Sequence, residues 1–509
     1  MVSRIVTFFS KKITGLHQAA YILGFFTFLS QILGLVRDRL LAYMFGAGRT
    51  VDVYYAAFKI PDLVLVVGGS VVSIAVLVPY LSRKITEDKK KAQRFIDAIF
   101  TAFFIGVTAL SAVLFAVMPW LAPTVFPGIS DPALQADLVL LGRMFLLSPI
   151  LLGISNIFAS IIQVYKRFLI YALSPILYNL GIIVGIVLLY PIFGVAGLGL
   201  GVVIGVALHA GVQIPFVAYK GFAPQFRWLT DMQPVWQVMK NSLPRTLTLS
   251  TNKLAILVLV SLASVLAPGS IAIFNFSFNL QSAPMAIVGA SYSLAAFPAL
   301  SQYFADGKHT KFIGEIETAV RHVLFWSLPI VALFVVLRAQ IVRTVLGAGK
   351  FDWVATKLTA ASLALFAIAV AAQSLVLVFV RSFYAADDTV TPLVTNIIGG
   401  LLIVGGAFGL TELFRSQSSV RYFLEALLRV KGVEDTAVLG LPLAYSLGTV
   451  VNAGLLWVAF RWRLGVLWSH VRSTVFQSAA GAIVAGFTAH FGLILLGQFL
   501  DLRYGPDIF

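Results

Sequence analysis

The sequence predicts an all-α polytopic membrane protein, and three observations carry that reading. Of 509 residues, 59% are hydrophobic and 11% charged, less than half the roughly 25% charged share of ordinary soluble domains. The apolar residues fall in runs long enough to cross a bilayer, which takes about 20 residues of helix. Runs such as Ile182 to Leu189 are continuously apolar, whereas a barrel strand alternates over about ten residues. A soluble globular enzyme is excluded, and no separate soluble domain fits beside the spans.

The first span is expected over residues 17–46. It follows Arg4, Lys11 and Lys12, but it is too long for a signal-peptide core and lacks a small-residue cleavage site, so it reads as a retained helix. The second, 52–82, contains Pro61, Pro79 and Gly68-Gly69-Ser70, with Ser73 one turn later; these permit kinking, close packing or local unwinding. Spans at 95–122, 137–164, 169–190 and 194–219 complete a first set. A second set covers 236–266, 270–304, 316–346, 355–386, 390–411 and 437–461, and a last span covers 473–499, giving about thirteen helices. The one long loop, 412–436, places Val420, Phe423, Leu424, Leu427 and Leu428 at helical spacing, with Arg421, Glu425 and Arg429 on other faces. That pattern predicts a short amphipathic helix on the outer membrane surface.

A net charge of +16, from 37 Lys and Arg against 21 Asp and Glu, would point to nucleic acid in a soluble protein. Here the cations alternate loop by loop. The N-terminus, Arg83 to Arg94, Lys166-Arg167, Lys220 with Arg227, Lys308 with Lys311, and Arg461 to Arg472 are basic. Pro127 to Asp137, Tyr190-Pro191 and Ala267 to Ser270 contain no Lys or Arg. Positive flanks stay on the cytoplasmic side, so the charge is mainly an orientation signal, with the N-terminus cytoplasmic and no nucleic-acid partner. With an odd number of helices Phe509 would lie outside.

The chain also resembles itself. Phe58-Lys59-Ile60 and Pro79 match Phe278-Asn279-Leu280 and Pro298; Ser174-Pro175 with Asn179 matches Thr391-Pro392 with Asn396. Both offsets are about 220 residues, six helices, so the two halves share an orientation and are related by a pseudo-two-fold axis along the membrane normal. The expected organisation is an N-lobe (1–220), a C-lobe (221–461, with the insertion 412–436) and a C-terminal segment (462–509). Two six-helix lobes side by side leave a central cleft.

An ionisable side chain at membrane depth costs several kcal/mol unless it is paired or faces water. The first two spans hold Arg37, Asp38, Arg39, Asp52, Lys59 and Asp62. Two readings stand: Arg37–Asp52 or Asp38–Lys59 pairs that simply join helices, or a cation-rich path for an anionic substrate, since Arg matches phosphate with two prongs. Lys253, Arg338, Arg343 and Arg381 are weaker candidates. Gly46-Ala47-Gly48-Arg49 and Gly347-Ala348-Gly349-Lys350 lack the Walker spacing and read as turns. The six histidines, at 17, 209, 309, 322, 470 and 490, are dispersed without metal-ligand spacing. With zero cysteines there is no thiolate chemistry. No enzyme, metal or cofactor signature is found, and without an ATP-binding module energy would come from the membrane potential or a Na+/H+ gradient.

Leu33-Gly34-Leu35-Val36-Arg37-Asp38, Phe45-Gly46-Ala47-Gly48, Asp52 and Ala57 to Leu63 together resemble the N-terminal signature of the MurJ (MviN) family of lipid II flippases. Gly349-Lys350-Phe351 resembles that family's Gly-Lys-Phe, and Phe383-Tyr384-Ala385 with Asp388-Thr389 and Thr391-Pro392 resembles a further family segment. The resemblance spans residues 17–460. It implies the multidrug/oligosaccharidyl-lipid/polysaccharide (MOP) exporter fold in a bacterial plasma membrane, a monomer among membrane lipids, and export of the undecaprenyl-pyrophosphate-linked peptidoglycan precursor by alternating access. Carried over residue by residue, Arg37 and Lys59 would engage pyrophosphate, and Asp38 and Asp52 would change partners between states. Ser73 and Asn279 complete the expected substrate positions, and Asp388 and Asn396 are candidates for a coupling ion. Gln31, Leu65, Ser70 and Asn279 stand near positions where the family has charged residues. The alternatives are another polyprenyl-linked glycan, a MATE-like antiporter, or a transport-inactive scaffold. The resemblance also implies two terminal helices, of which one, 473–499, is expected here.

Overall fold

The computed structural model describes residues 16–69, 72–227, 233–416, 418–465 and 468–499. Arg4, Lys11, Lys12 and Ser70, together with the side chains of His17 and His470, lie outside the described residues. Among the described residues all regular structure is helical, as bilayer-spanning backbone requires. Eleven helices among the described residues are long and apolar enough to cross a membrane. The helices at the first two expected spans stand apart from these eleven; they carry the charged group described below. The protein is a multi-pass membrane protein.

The chain forms two compact units, one comprising residues up to 40 with 53–253, the other 41–52 with 254–509. The first contains α1 (Leu16–Phe45) as far as Leu40, α2 (Arg49–Gly68) from Val53, α3 (Ile74–Glu87), α4 (Lys89–Val125), α5 (Pro132–Phe145) and α6 (Leu147–Val164). It continues through α7 (Phe168–Val184), α8 (Val195–Gly211), α9 (Ile214–Tyr219) and α10 (Gln233–Ser264) as far as Lys253. The second span is a broken helix: α2 ends at Gly68 and α3 begins at Ile74, behind Ser73. Gly68 also packs closely, since a Cβ there would sit 2.7 Å from Val107. Glycines likewise bring α7 and α8 backbone to backbone. A Cβ on Gly181 would lie 2.2 Å from Gly205 Cα, and one on Gly201 2.4 Å from Gly185 Cα. This is the small-residue packing that holds helices together where lipid removes the hydrophobic drive.

The span expected from 137 starts earlier, at Pro132, because Asp131 caps it by accepting from Ala133 N at 2.8 Å and Leu134 N at 3.3 Å. Proline at the first helical position suits such a start.

The second unit contains the turn 41–52, the rest of α10, α11 (Ser270–Met285), α12 (Ser291–Ala305), α13 (His309–Val336), α14 (Arg338–Leu346), α15 (Trp353–Ala385), α16 (Val390–Arg415), α17 (Ser419–Leu428), α18 (Gly440–Arg463) and α19 (Trp468–Phe499). A π turn, Ala286–Ala290, joins α11 to α12. It falls where the repeat offset carries the break between α2 and α3, so both copies of this span are irregular at matching positions. Part of the core is Phe312, Ile316 and Val320 of α13 against Phe379 and Phe383 of α15 and Phe460 of α18. The span expected over 316–346 is two helices with Leu337 between them. The amphipathic helix in 412–436 is α17, with Val420, Phe423 and Leu427 exposed. Glu425 departs from expectation: it is 3% exposed, because Arg421 Nε at 2.7 Å and the Thr436 hydroxyl at 2.6 Å both donate to its carboxylate.

Candidate functional site

In the first unit α1 presents Arg37 and Asp38 beside one another. They are about 100° apart around the helix, yet the guanidinium folds back so that Nε and Nη2 both donate to Asp38 Oδ1, at 2.9 and 2.8 Å. The Tyr55 hydroxyl of α2 donates to the same oxygen at 3.1 Å. Arg37 Nη1 reaches Asn179 Oδ1 of α7 at 3.5 Å, and Asn179 Nδ2 donates to the Ser30 hydroxyl at 3.2 Å. Asp38 is thus buried and satisfied, while the Arg37 side chain keeps 20% of its surface. A guanidinium has five N–H donors, and among the described residues Asp38 and Asn179 take three of them, leaving N–H groups for an anion.

One turn beyond Tyr55 lies Lys59, within electrostatic reach of Asp62 and Lys253; those two form an ion pair at 3.5 Å. Tyr178 is in electrostatic reach of both Arg37 and Asp62, so the two charged groups share one region of this unit. Among the described residues the ion pairs of this group are Arg37–Asp38 and Asp62–Lys253, neither of them a pair weighed from sequence. Sequence reasoning missed Tyr55 and Ser30, which carry no motif. Asn179 was visible, but only as half of a repeat. Ser73 sits at the head of α3, where its carbonyl accepts from Leu77 N at 2.8 Å and its side chain makes no capping bond.

Asp52 belongs to the second unit. Gly269 N donates to its Oδ2 at 2.6 Å and Ala272 N to its Oδ1 at 2.8 Å. It therefore caps α11 from 217 residues away, taking up N–H groups that a helix start leaves without partners. Asn279 is part of α11, and its carbonyl accepts from the Ser282 hydroxyl at 2.7 Å. Asp388 opens α16. Its carboxylate accepts from Val390 N, Thr391 N, the Thr391 hydroxyl at 2.6 Å and Arg463 Nη1 at 2.8 Å. Burial pushes its pKa up, but the Thr391 and Arg463 hydrogen bonds outweigh that and hold it below the usual carboxylate range. Asn396 donates to Pro392 O at 2.7 Å and accepts from Asn452 at 3.2 Å. Among the described residues no hydrogen bond joins Asp388 to Asn396. The local bond from Asn396 to Pro392 repeats the one from Asn179 to Pro175 at 3.2 Å, so both members of this sequence repeat make the same structure.

A family model described as lipid II flippase MurJ matches residues 41–500. The chain belongs to the MurJ family. A Burkholderia cenocepacia lipid II flippase MurJ is 26% identical over 391 residues, covering 74% of this chain and 75% of the relative. A Thermotoga maritima member of the MurJ family is 28% identical over 463 residues, covering 88% and 92%. A solved MurJ structure in an inward closed conformation superposes with a TM-score of 0.73 at 20% identity, covering 94% of this chain and 98% of that one. A MATE family transporter of the MOP superfamily in an inward-facing conformation gives 0.67 at 13% identity, covering 86% and 95%.

Two stretches that resemble MurJ motifs meet within the second unit. Lys350 N donates to Tyr43 O at 3.0 Å. Gly349, at φ +63°, would place a Cβ 2.3 Å from Tyr43 O, and one on Gly46, at φ +66°, would lie 2.5 Å from Lys350 O. The two glycine turns are locked backbone to backbone, which accounts for glycine at both without any phosphate loop.

Proposed function

We propose that this MurJ-family chain moves lipid II, the undecaprenyl-pyrophosphate-linked peptidoglycan precursor, from the inner to the outer leaflet of a bacterial inner membrane by alternating access. The observation that carries this reading is the family match over residues 41–500, and the cation-rich group on α1 and α2 supports it chemically. Two negative phosphates need cations inside a low-dielectric span, where charge-assisted Arg–phosphate bonds are about twice as strong as neutral ones. Arg37 and Lys59 are assigned to the pyrophosphate, Asp38 holds Arg37 in place, and Ser73 and Asn279 are assigned as further substrate-binding residues. The likeness to MATE transporters solved inward-facing and outward-facing supports a fold that alternates. The alternation of basic and non-basic loops supports a cytoplasmic N-terminus, and the sequence repeat supports lobes at 1–220 and 221–461. The chain acts without covalent chemistry, as a monomer, with energy from the membrane potential or a Na+/H+ gradient.

The test is to deplete a host's own flippase and ask whether this protein restores outer-leaflet lipid II. Rescue by wild type and its loss in Arg37→Ala at equal membrane abundance are the expected results. Failure of wild type to rescue when well expressed overturns the function, and full rescue by Arg37→Ala overturns the phosphate contact.

A further inference from the structure

The second unit holds a cavity of about 360 Å³ that the charged group on α1 and α2 does not touch. Its lining includes Val265, after the end of α10, Phe414 and Arg415 of the last turn of α16, Arg421 of α17, and Asp435 and Thr436 before α18. Apart from Arg421 on the short α17, these segments lie where a span ends or begins, the level at which headgroups flank a bilayer core. The lining itself has two guanidiniums and one carboxylate, and two further carboxylates outside it, Glu412 and Glu425, pair with Arg415 and Arg421.

The cations are positioned from behind. Buried Glu425 takes Arg421 Nε at 2.7 Å and is itself fixed by the Thr436 hydroxyl at 2.6 Å. Among the described residues no hydrogen bond takes up the terminal nitrogens of Arg421. Arg415 donates through Nη2 to Val265 O at 3.3 Å, has Nη1 4.0 Å from the exposed Glu412 carboxylate, and keeps 48% of its side chain exposed. Asp435 adopts φ +61°, a left-handed conformation uncommon outside glycine that clusters at functional sites. Beside the cavity, α17 exposes Val420, Phe423 and Leu427 on one face, the face an interfacial helix buries among acyl chains and headgroups.

We propose that this cavity binds the phosphate of a membrane phospholipid headgroup, with Arg415 and Arg421 as its ligands, Glu425 as the residue that positions Arg421, and the apolar face of α17 resting on the same lipid's chains. The chemistry is that of an Arg-paired phosphate. It is independent of the transport reading, because neither arginine belongs to the group on α1 and α2.

The test uses purified full-length protein in detergent, titrated with dioctanoyl phosphatidylglycerol and read by native mass spectrometry, with dioctanoylglycerol and inorganic phosphate as separate arms. Saturable phosphatidylglycerol binding is expected, with no binding of dioctanoylglycerol. The double variant Arg415→Gln/Arg421→Gln should weaken it roughly tenfold or more, the loss expected of charge-assisted bonds. Ala437→Trp, which fills the cavity and leaves the charges alone, should weaken it similarly. Arg415→Gln alone, on the exposed rim, keeps the test open if the double variant does not fold. Unchanged binding in the folded variants overturns the site, and inorganic phosphate binding as tightly as the lipid overturns the headgroup assignment.

Discussion

Asp52→Ala should destabilise the protein by about 3 kcal/mol, on the following grounds. The carboxylate is 7% exposed and accepts two backbone N–H bonds at 2.6 and 2.8 Å. Hydrogen bonds to a charged group are worth roughly 1.5–3 kcal/mol each, and an N-cap alone about 1. Alanine leaves the N–H groups of Gly269 and Ala272, at the start of α11, buried without that acceptor. Against this stands the relief of no longer burying a carboxylate, which brings the sum toward the lower end of the range. Asp52→Asn retains one acceptor oxygen and should lose about half as much. Denaturant unfolding of the purified protein in micelles, followed by Trp fluorescence, gives the ranking wild type, Asn, Ala. Asp52→Ala within about 0.5 kcal/mol of wild type, the range of an ordinary surface substitution, refutes the capping role. A second outcome refutes it too. If Asp52→Asn keeps full stability yet abolishes lipid II rescue, the carboxylate acts as a charge on the substrate path and not as a helix cap.

Gly269→Ala should destabilise at least as much as Asp52→Ala in the same unfolding assay. At φ +90° its Cβ would meet Ala47 O at 2.0 Å, and a wild-type Tm would contradict the tight turn. Asp97, fully buried in α4, accepts from Gln93 Nε2 at 2.7 Å and Gln225 N at 2.9 Å and pairs with Arg227 at 3.0 Å. Asp97→Ala should loosen the 222–227 segment and raise the rate of tryptic cleavage after Arg227 by roughly tenfold or more; unchanged cleavage would mean that buried Phe222 and the Gln93–Ala223 and Arg227–Thr101 bonds hold it without the carboxylate. The Asp388 carboxyl is held below its ordinary value, so its contribution to stability is present above the unfolded pKa of about 3.9 and is lost as pH falls through the lower folded value. Arg463→Gln should therefore narrow its stability deficit against wild type as pH drops below about 4, and a deficit independent of pH would rule out the ion pair as its source.

Periodicity and loop charge made the helices legible because a span must satisfy its own backbone, so long apolar runs have one solution. The break in the second span was legible for a similar reason: Gly68 and Gly69 mark where a helix can stop. The charged group was legible only as a set of candidates. Asp38, Asp52, Asp62 and Asp388 look alike in sequence, yet their partners are an adjacent Arg, a helix start far along the chain, a Lys on another span and a local helix start. Those partners depend on tertiary placement, which no local spacing encodes. Asp97 was passed over because an acid near a span end reads as interfacial; its burial follows from a connection that folds back over it.

These partners also decide where the proposed substrate contact can lie. An alternating transporter needs charges that can trade one partner for another, at a cost set by what the first partner loses. Asp52 and Asp388 take the backbone N–H groups of helix starts, so releasing either would unravel a turn of α11 or α16. Asp38 is held by two donors of Arg37 and one of Tyr55, which fixes the guanidinium without using it up. Arg37 alone of this group combines a fixed position with N–H groups still to give, and Lys59 brings a second cation one turn from Tyr55. If charge repositioning drives the cycle, it runs through Arg37 and the Lys59, Asp62 and Lys253 group, and the carboxylates at helix starts serve as the rigid frame.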